Sequence, residues 1–183
     1  FTPPTSAIGT IYYYCEILQS GLGCNTKSNV AAVIINLAPT ISLQPSSSAL
    51  CLGGTPTLLK VAYSNGVGTA QYQWYSNTTN STIGSTSILG AINDSFNPPA
   101  ITVGTTYYYC IITLSTGGCS ILTSAIAEVK INQNPVITNK SAVVCSGTSF
   151  TITPDNSSGD IVPVGTTYTW TTPSISPANS ING

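Results

Sequence analysis

The chain repeats itself, and that constrains its fold more than any other feature. Residues 1–36 open FTPPTSAIGTIYYYC and residues 96–132 open FNPPAITVGTTYYYC; both reach a second cysteine and close on VAAVIIN or AIAEVKIN. Phe1 and Phe96, Pro3 and Pro98, Gly9 and Gly104, Cys15 and Cys110, and Cys24 and Cys119 are each 95 residues apart. Landmarks from the other half of the unit recur as well: Pro39 and Pro135 are separated by 96, Cys51 and Cys145 by 94, and Trp74 and Trp170 by 96. A period of that length is one small domain per repeat, joined in a string. The 183 residues then divide into the C-terminal part of one repeat (1–36), a complete repeat (37–132) and the N-terminal part of a third (133–183). Half of a two-layer domain cannot bury its inner face, so the two outer segments are expected to belong to domains whose other strands are not in this sequence.

Within the complete repeat the periodicity is that of strands. TLLKVAY (57–63) reads as a strand followed by an Asn65-Gly66 turn. In AQYQWY (70–75), Tyr72 and Trp74 share one face and Gln71, Gln73 and Tyr75 the other. In TTYYYCIITL (105–114), Tyr108, Cys110 and Ile112 face one way and Tyr107 and Tyr109 the other. Ser115 to Gly118 forms a hairpin turn, and AIAEVKI (125–131) points Ala127, Val129 and Ile131 inward. Six or seven such strands in about 95 residues predict an all-β chain of tandem β-sandwich repeats. The order Cys51, Trp74, Tyr108, Cys110 follows the immunoglobulin pattern of first Cys, strand-C Trp and a Tyr two residues before the second Cys. By that pattern Trp74 and Tyr108, and their repeat mates Trp170 and Tyr13, are core residues. Cys51 departs from the pattern, because it precedes its strand, beside Gly53-Gly54.

Composition narrows function. Only 5% of residues are charged, and there is no His, Met or Arg, so solubility rests on 27 Thr, 24 Ser and 14 Asn. The net charge is −1 and the lysines (Lys27, Lys60, Lys130, Lys140) are scattered. No basic stripe offers itself to phosphates or to an anionic membrane. No apolar run approaches the length of a membrane span, and no charged-then-apolar leader opens the sequence; a secretion signal would lie outside it. The acids are Glu16, Asp94, Glu128, Asp155 and Asp160. Without His, Ser/His/Asp and Cys/His catalysis is impossible, and no catalytic residue is assigned. Asp155 and Asp160 flank a short Ser/Gly loop, a weak candidate for Ca²⁺ that reads better as turn chemistry. The cysteines lack zinc-knuckle spacing, so no metal or other cofactor is expected. Asn77, Asn80, Asn93, Asn139 and Asn156 each open an N-x-S/T triplet and mark loops.

The recurring GTTYYYC…GC…V.IN ending resembles the Ig-like repeats of very large Bacteroidetes cell-surface adhesins exported by the type 9 secretion system. VVCSGTSFTITPDNSSGDIVPVGTTYTWTTP (143–173) resembles their PKD-like repeats. The resemblance implies an extracellular location on the bacterial surface, a non-catalytic role in adhesion or gliding motility, and the secretion or gliding machinery as a partner.

In an oxidising compartment the six cysteines (Cys15, Cys24, Cys51, Cys110, Cys119, Cys145) are disulfide candidates. Placing Cys51 at the start of strand B and Cys110 early in strand F puts both at one end of the sandwich and favours Cys51–Cys110. Cys51–Cys119 is the alternative, a pair that relatives by resemblance keep. Tyr107 and Tyr109, joined by Tyr75, are expected to face outward on the sheet of strands C, F and G. Such a face could stack on a surface polysaccharide, but cross-strand tyrosines also simply stabilise a sheet. The short Pro-bearing joints Asn36–Pro39 and Asn132–Pro135 favour semi-rigid spacing, so neighbouring repeats are the most immediate partners. The sequence therefore predicts a stalk module. A carbohydrate-binding module of a secreted polysaccharide-degrading protein is the alternative.

Overall fold

A computed structural model describes residues 1–21, 23–118, 121–157 and 159–171. None of the described residues is helical. The chain separates into two units, Phe1–Ile131 and Asn132–Gly183.

The first segment carries β1 (Gly9–Tyr13), β2 (Glu16–Leu18), β3 (Asn25–Lys27) and β4 (Ala31–Ile35). The complete repeat follows with β5 (Thr40–Leu43), β6 (Ser48–Cys51), β7 (Leu59–Lys60), β8 (Ala62–Ser64), β9 (Val67–Asn77), β10 (Thr86–Ser87), β11 (Ser95–Phe96), β12 (Gly104–Thr116), β13 (Ile121–Thr123) and β14 (Ala127–Asn132). The expected strand at 57–63 is split at Val61, whose amide turns to the Asp94 carbonyl. The two long strands run beyond their expected ends. β9 begins directly after Asn65 (φ 63°) and Gly66 (φ 80°), two successive left-handed residues that make a tight reversal. Only Gly fits at 66, since a Cβ there would lie 2.6 Å from Leu114 Cδ1 and 3.0 Å from Pro39 Cβ.

The strands of the repeat form two layers. One is ordered β10-β9-β12-β14-β6, with β13 extending the pairing along β12. The other is assembled from β5 on β8 and β11 on β7, with β7 and β8 consecutive along one strand line. Inward residues of both layers meet in one core: Leu59, Val61, Trp74, Tyr108, Cys110, Ile112, Ala127, Val129 and Ile131 are buried together, with Phe96 and Tyr63 packed against them. Strands A, B and E in one layer facing C, F and G in the other is the immunoglobulin-like sandwich. In that scheme β5 is A, β7/β8 is B, β11 is E, β9 is C, β12 is F and β14 is G.

The first segment copies part of this sandwich residue for residue. Gly9 pairs with Ile35 and Tyr13 with Ala31, as Gly104 pairs with Ile131 and Tyr108 with Ala127. Glu16 pairs with Lys27, as Ile111 pairs with Thr123. Gly9 and Gly104 share an unusual backbone, φ 139° and 141°. A serine clip recurs as well. Ser124 Oγ accepts from the Cys110 amide (2.9 Å) and donates to the Ala125 carbonyl (2.8 Å), while Ser28 Oγ accepts from Cys15 (2.8 Å) and donates to Asn29 (2.9 Å).

In the second unit the described residues hold one isolated antiparallel bridge, Val136 to Ile161. Asp160 ties it together. It accepts from Thr138 N (2.8 Å) and Thr138 Oγ1 (2.7 Å) and pairs with Lys140 at 2.8 Å. Trp170, expected in a core, is 73% exposed, because no described strand of this unit lies over it.

Candidate functional site

Two surfaces of the complete repeat are candidates: the outer face of the β9–β12 sheet, and a cleft along the free edge of β9.

The outer face is where Tyr75, Tyr107 and Tyr109 were expected to form an open aromatic platform. They share the face, and Tyr75 and Tyr109 are opposite one another in register. The platform, however, is closed. Tyr109 is only 4% exposed, and Tyr75 and Tyr107 are half-buried. The segment between β9 and β10 folds over the sheet. Ser85 Oγ lies 2.6 Å from Tyr109 Oη, which also reaches the Thr82 carbonyl at 3.4 Å. Asn77 anchors that loop by donating from Nδ2 to the carbonyls of Ser81 (2.8 Å) and Ile83 (3.0 Å), so this first N-x-S/T asparagine is a structural bracket rather than a loop marker. The other four, Asn80, Asn93, Asn139 and Asn156, are exposed. A covered ring cannot stack on a sugar, and the ligand-face expectation for Tyr109 is corrected accordingly.

Inside the core, Trp74 is fully buried and Tyr108 is 5% exposed. Trp74 is pinned by its indole N–H to the Asn93 carbonyl (3.0 Å) and by backbone bonds to Ala91 (3.0 Å) and Ile88 (2.9 Å). Phe96 links the two, its ring centroid 6.0 Å from Trp74 and 5.6 Å from Tyr108. Tyr13, the repeat mate of Tyr108, is half-buried.

The cysteines are dispersed. Cys110 is fully buried beside Trp74, whereas Cys15, Cys24, Cys51 and Cys145 are exposed; Cys119 lies outside the described residues. Cys51 ends β6, an A′-type edge strand, and does not start strand B. Gln44 and Ser47, leading into β6, bond the amides of Ala125 and Glu128, and Gly53 N reaches the Ala100 carbonyl. Cys51 therefore emerges at the Gly104 end of the sheet. Cys110 sits six residues along β12, about 20 Å away, with β14 in between. A disulfide needs Cα atoms within roughly 7 Å. The premise that put Cys51 and Cys110 at one end of the sandwich is overturned, and both remain thiols. Burial pushes the Cys110 thiol up to about 11, the Gln73 backbone offsetting this slightly.

Neither Asp155 nor Asp160 is free for a cation. Asp155 accepts from the Ser157 amide at 2.9 Å and from its hydroxyl, an Asx turn. Asp160 is held by Lys140 and Thr138. Among the described residues no three His, Cys, Asp or Glu side chains converge as a metal site.

The cleft was not visible in the sequence. Ala70, Gln71, Tyr72, Gln73, Ile92, Ile111 and Thr113 line a hollow of about 440 Å³. A second hollow of about 490 Å³ shares Ala70, Tyr72 and Ile92 and adds Asn93, Asp94 and Ser95. Burial, then the proximity of Tyr63 and Asp94, raises the Tyr72 phenol above its ordinary value. The cleft exists because the chain between β10 and β11 bonds β9 only around Trp74, leaving the edge at 70–73 uncovered. No spacing signal in the sequence brings 92–95 to that edge.

Fold and site together define an immunoglobulin-like β-sandwich domain. The family described as "Domain of unknown function (DUF8696)" matches residues 40–133, from β5 through β14. The chain belongs to this family. Among solved structures, one titled "Sidekick-1 immunoglobulin domains 1-5" is similar at 18% identity with a TM-score of 0.40. The match covers 75% of this chain and 30% of that one, so the chain spans under a third of its length. No curated protein matches the chain.

Proposed function

We propose that the chain is a non-catalytic, extracellular repeat module in the stalk of a large bacterial cell-surface adhesin, of the SprB-like gliding-motility kind that its YYYC and PKD-like segments resemble. The observation that carries the reading is the register-for-register recurrence of one hairpin at 9–35 and 104–131. Recurrence at that fidelity supports an array in which residues 1–36 and 133–183 are parts of flanking repeats and neighbouring repeats are the principal partners. Type 9 secretion or gliding components are partners by resemblance only. The lack of His and the structural engagement of Asp155 and Asp160 support a non-enzymatic role. Binding in such an array is spread over many copies and gains by avidity. The test is to label intact producing cells with an antibody raised against this chain, before and after protease shaving. Surface signal removed by shaving is expected; signal that appears only after lysis overturns the reading.

The Tyr72 cleft favours a second reading, carbohydrate binding. It places an aromatic ring beside the amides of Gln71 and Asn93 and the carboxylate of Asp94, the groups that orient a neutral polyhydroxylated ligand. Affinity electrophoresis against a polysaccharide panel discriminates the two. Retardation abolished by Tyr72→Ala and Asp94→Ala supports a lectin, and unretarded migration supports a stalk.

A further inference from the structure

In the complete repeat, β9 meets β12 from Tyr107 to Leu114 and delivers two adjacent rings to opposite faces. Trp74 goes inward, level with Cys110 and against Phe96. Tyr75 goes outward and stacks on Tyr109. The hairpin of residues 1–36 presents the same receiving groups in the same register. Phe1 stands 5.2 Å from Tyr13, as Phe96 stands 5.6 Å from Tyr108. Cys15 takes the place of Cys110 and Tyr14 that of Tyr109.

The hairpin's receiving groups are uncovered. Tyr14 is 59% exposed against 4% for Tyr109, and Ile17 is 59% exposed against 0% for Ile112. Phe1, Tyr13, Tyr14, Cys15, Ser28 and Ala31 line a mainly apolar cavity of about 540 Å³. Among the described residues β1 pairs only with β4 and β2 only with β3, so the edge that β12 gives to β9 is open here. An open edge beside an apolar hollow is the arrangement used for strand addition: backbone bonds supply affinity and pockets for alternate side chains supply specificity.

We infer that this hairpin is a docking seat for a β9-type strand from another repeat of the same family, with its indole in the Phe1/Tyr13/Cys15 cavity and the following tyrosine stacked on Tyr14. The occupant is assigned by the chain's own duplicate of the seat, in which β9 fills it. The inference rests on the hairpin geometry and not on the cell-surface reading, so either can fail alone.

The probe is a dye-labelled peptide of residues 69–77, TAQYQWYSN, titrated into the full chain by fluorescence anisotropy. Saturable binding of one peptide per chain is expected. It should weaken at least tenfold when the peptide's Trp74 is replaced by Ala, and severalfold in a Tyr14→Ser chain. Tyr14 is exposed, so its replacement leaves the fold in place. Bound peptide should also slow alkylation of Cys15 and leave that of Cys51 unchanged, a readout that non-specific adsorption would not give. Absence of saturable binding overturns the proposal. Binding indifferent to both substitutions, with Cys15 unprotected, overturns it too. Protection of Cys15 by rising chain concentration without peptide would assign the seat to a second copy and overturn the occupant.

Discussion

Tyr75 and Tyr109 lie face to face, their ring centroids 5.1 Å apart and their planes 10° from parallel. They are opposite residues on β9 and β12, on the sheet face away from the core. With Ser85 bonded to the Tyr109 hydroxyl, the pair forms a small second cluster under the β9–β10 loop. The repeat is thus packed on both faces of its larger sheet, and this places the tyrosines among its stabilising contacts.

The two outward tyrosines should then behave differently. Tyr109→Ser removes a buried ring, its stacking partner and a hydrogen bond, and should cost about 3 kcal/mol, near the lower end for large aromatic truncations. Tyr107→Ser, at a half-buried position, should cost about 1 kcal/mol or less. Urea midpoints of the two variants check this. Equal midpoints would mean the loop does not cover Tyr109.

Trp74→Ala should cost about 3–5 kcal/mol, because it empties the centre of the core and orphans the Asn93 carbonyl that the indole satisfies. Trp74→Phe keeps most of the volume and loses only the bond, so it should recover more than half of the loss. A Phe variant as unstable as the Ala variant would show that the hydrogen bond, and not the volume, dominates.

Thiol chemistry separates Cys110 from Cys51. With its thiol pushed up to about 11 by burial, Cys110 is thiolate in about one molecule per thousand at pH 8, and it is sterically covered. Iodoacetamide should modify exposed Cys51 in native protein and reach Cys110 only in denaturant. The linkage sign follows from the raised value. The unfolded thiol ionises near its ordinary 9.0 and the folded one near 11. Stability from this group is therefore complete below pH 9 and declines from pH 9 to 11. Recovery of a Cys51–Cys110 cross-linked peptide under non-reducing conditions would contradict the strand order itself.

How much of this was legible depended on whether the deciding contacts were local. The inward set Trp74, Tyr108, Cys110, Ile112 and Val129 follows from two-residue alternation, and the repeat from fixed offsets; both are properties of the string. Three features needed the third dimension. Cys51 was placed on strand B because Gly53-Gly54 resembles a strand entrance, but β6 joins the other layer through Gln44 and Ser47. The burial of Tyr109 is imposed by a loop whose path is set by Asn77 and no periodicity encodes. The Tyr72 cleft arises where the chain near Asp94 bonds Val61 on one layer and passes the edge of β9 on the other.

The second unit carries a pH-dependent tie. Lys140, first, and Thr138, through both its hydroxyl and its amide, hold the Asp160 carboxyl well below its ordinary 3.8. A depressed carboxylate contributes stability that is present above the unfolded value and is lost as pH falls through the folded one. The Asp160 cluster should therefore be intact at neutral pH and loosen only well below pH 4. The place to watch is the Val136–Ile161 bridge, one residue from Asp160. Its amides should keep their hydrogen-exchange protection from pH 7 to 4 and lose it on further acidification. Lys140→Gln removes the largest contribution and leaves the two Thr138 bonds, so the loss should begin at higher pH, still below the ordinary carboxylate value. Asp160→Asn should abolish the pH dependence while retaining acceptance from Thr138 through its amide oxygen. An Asp160 carboxyl that titrates by carbon-detected NMR at the ordinary value, with Lys140→Gln leaving it unmoved, would show that the 2.8 Å pair does not persist in solution.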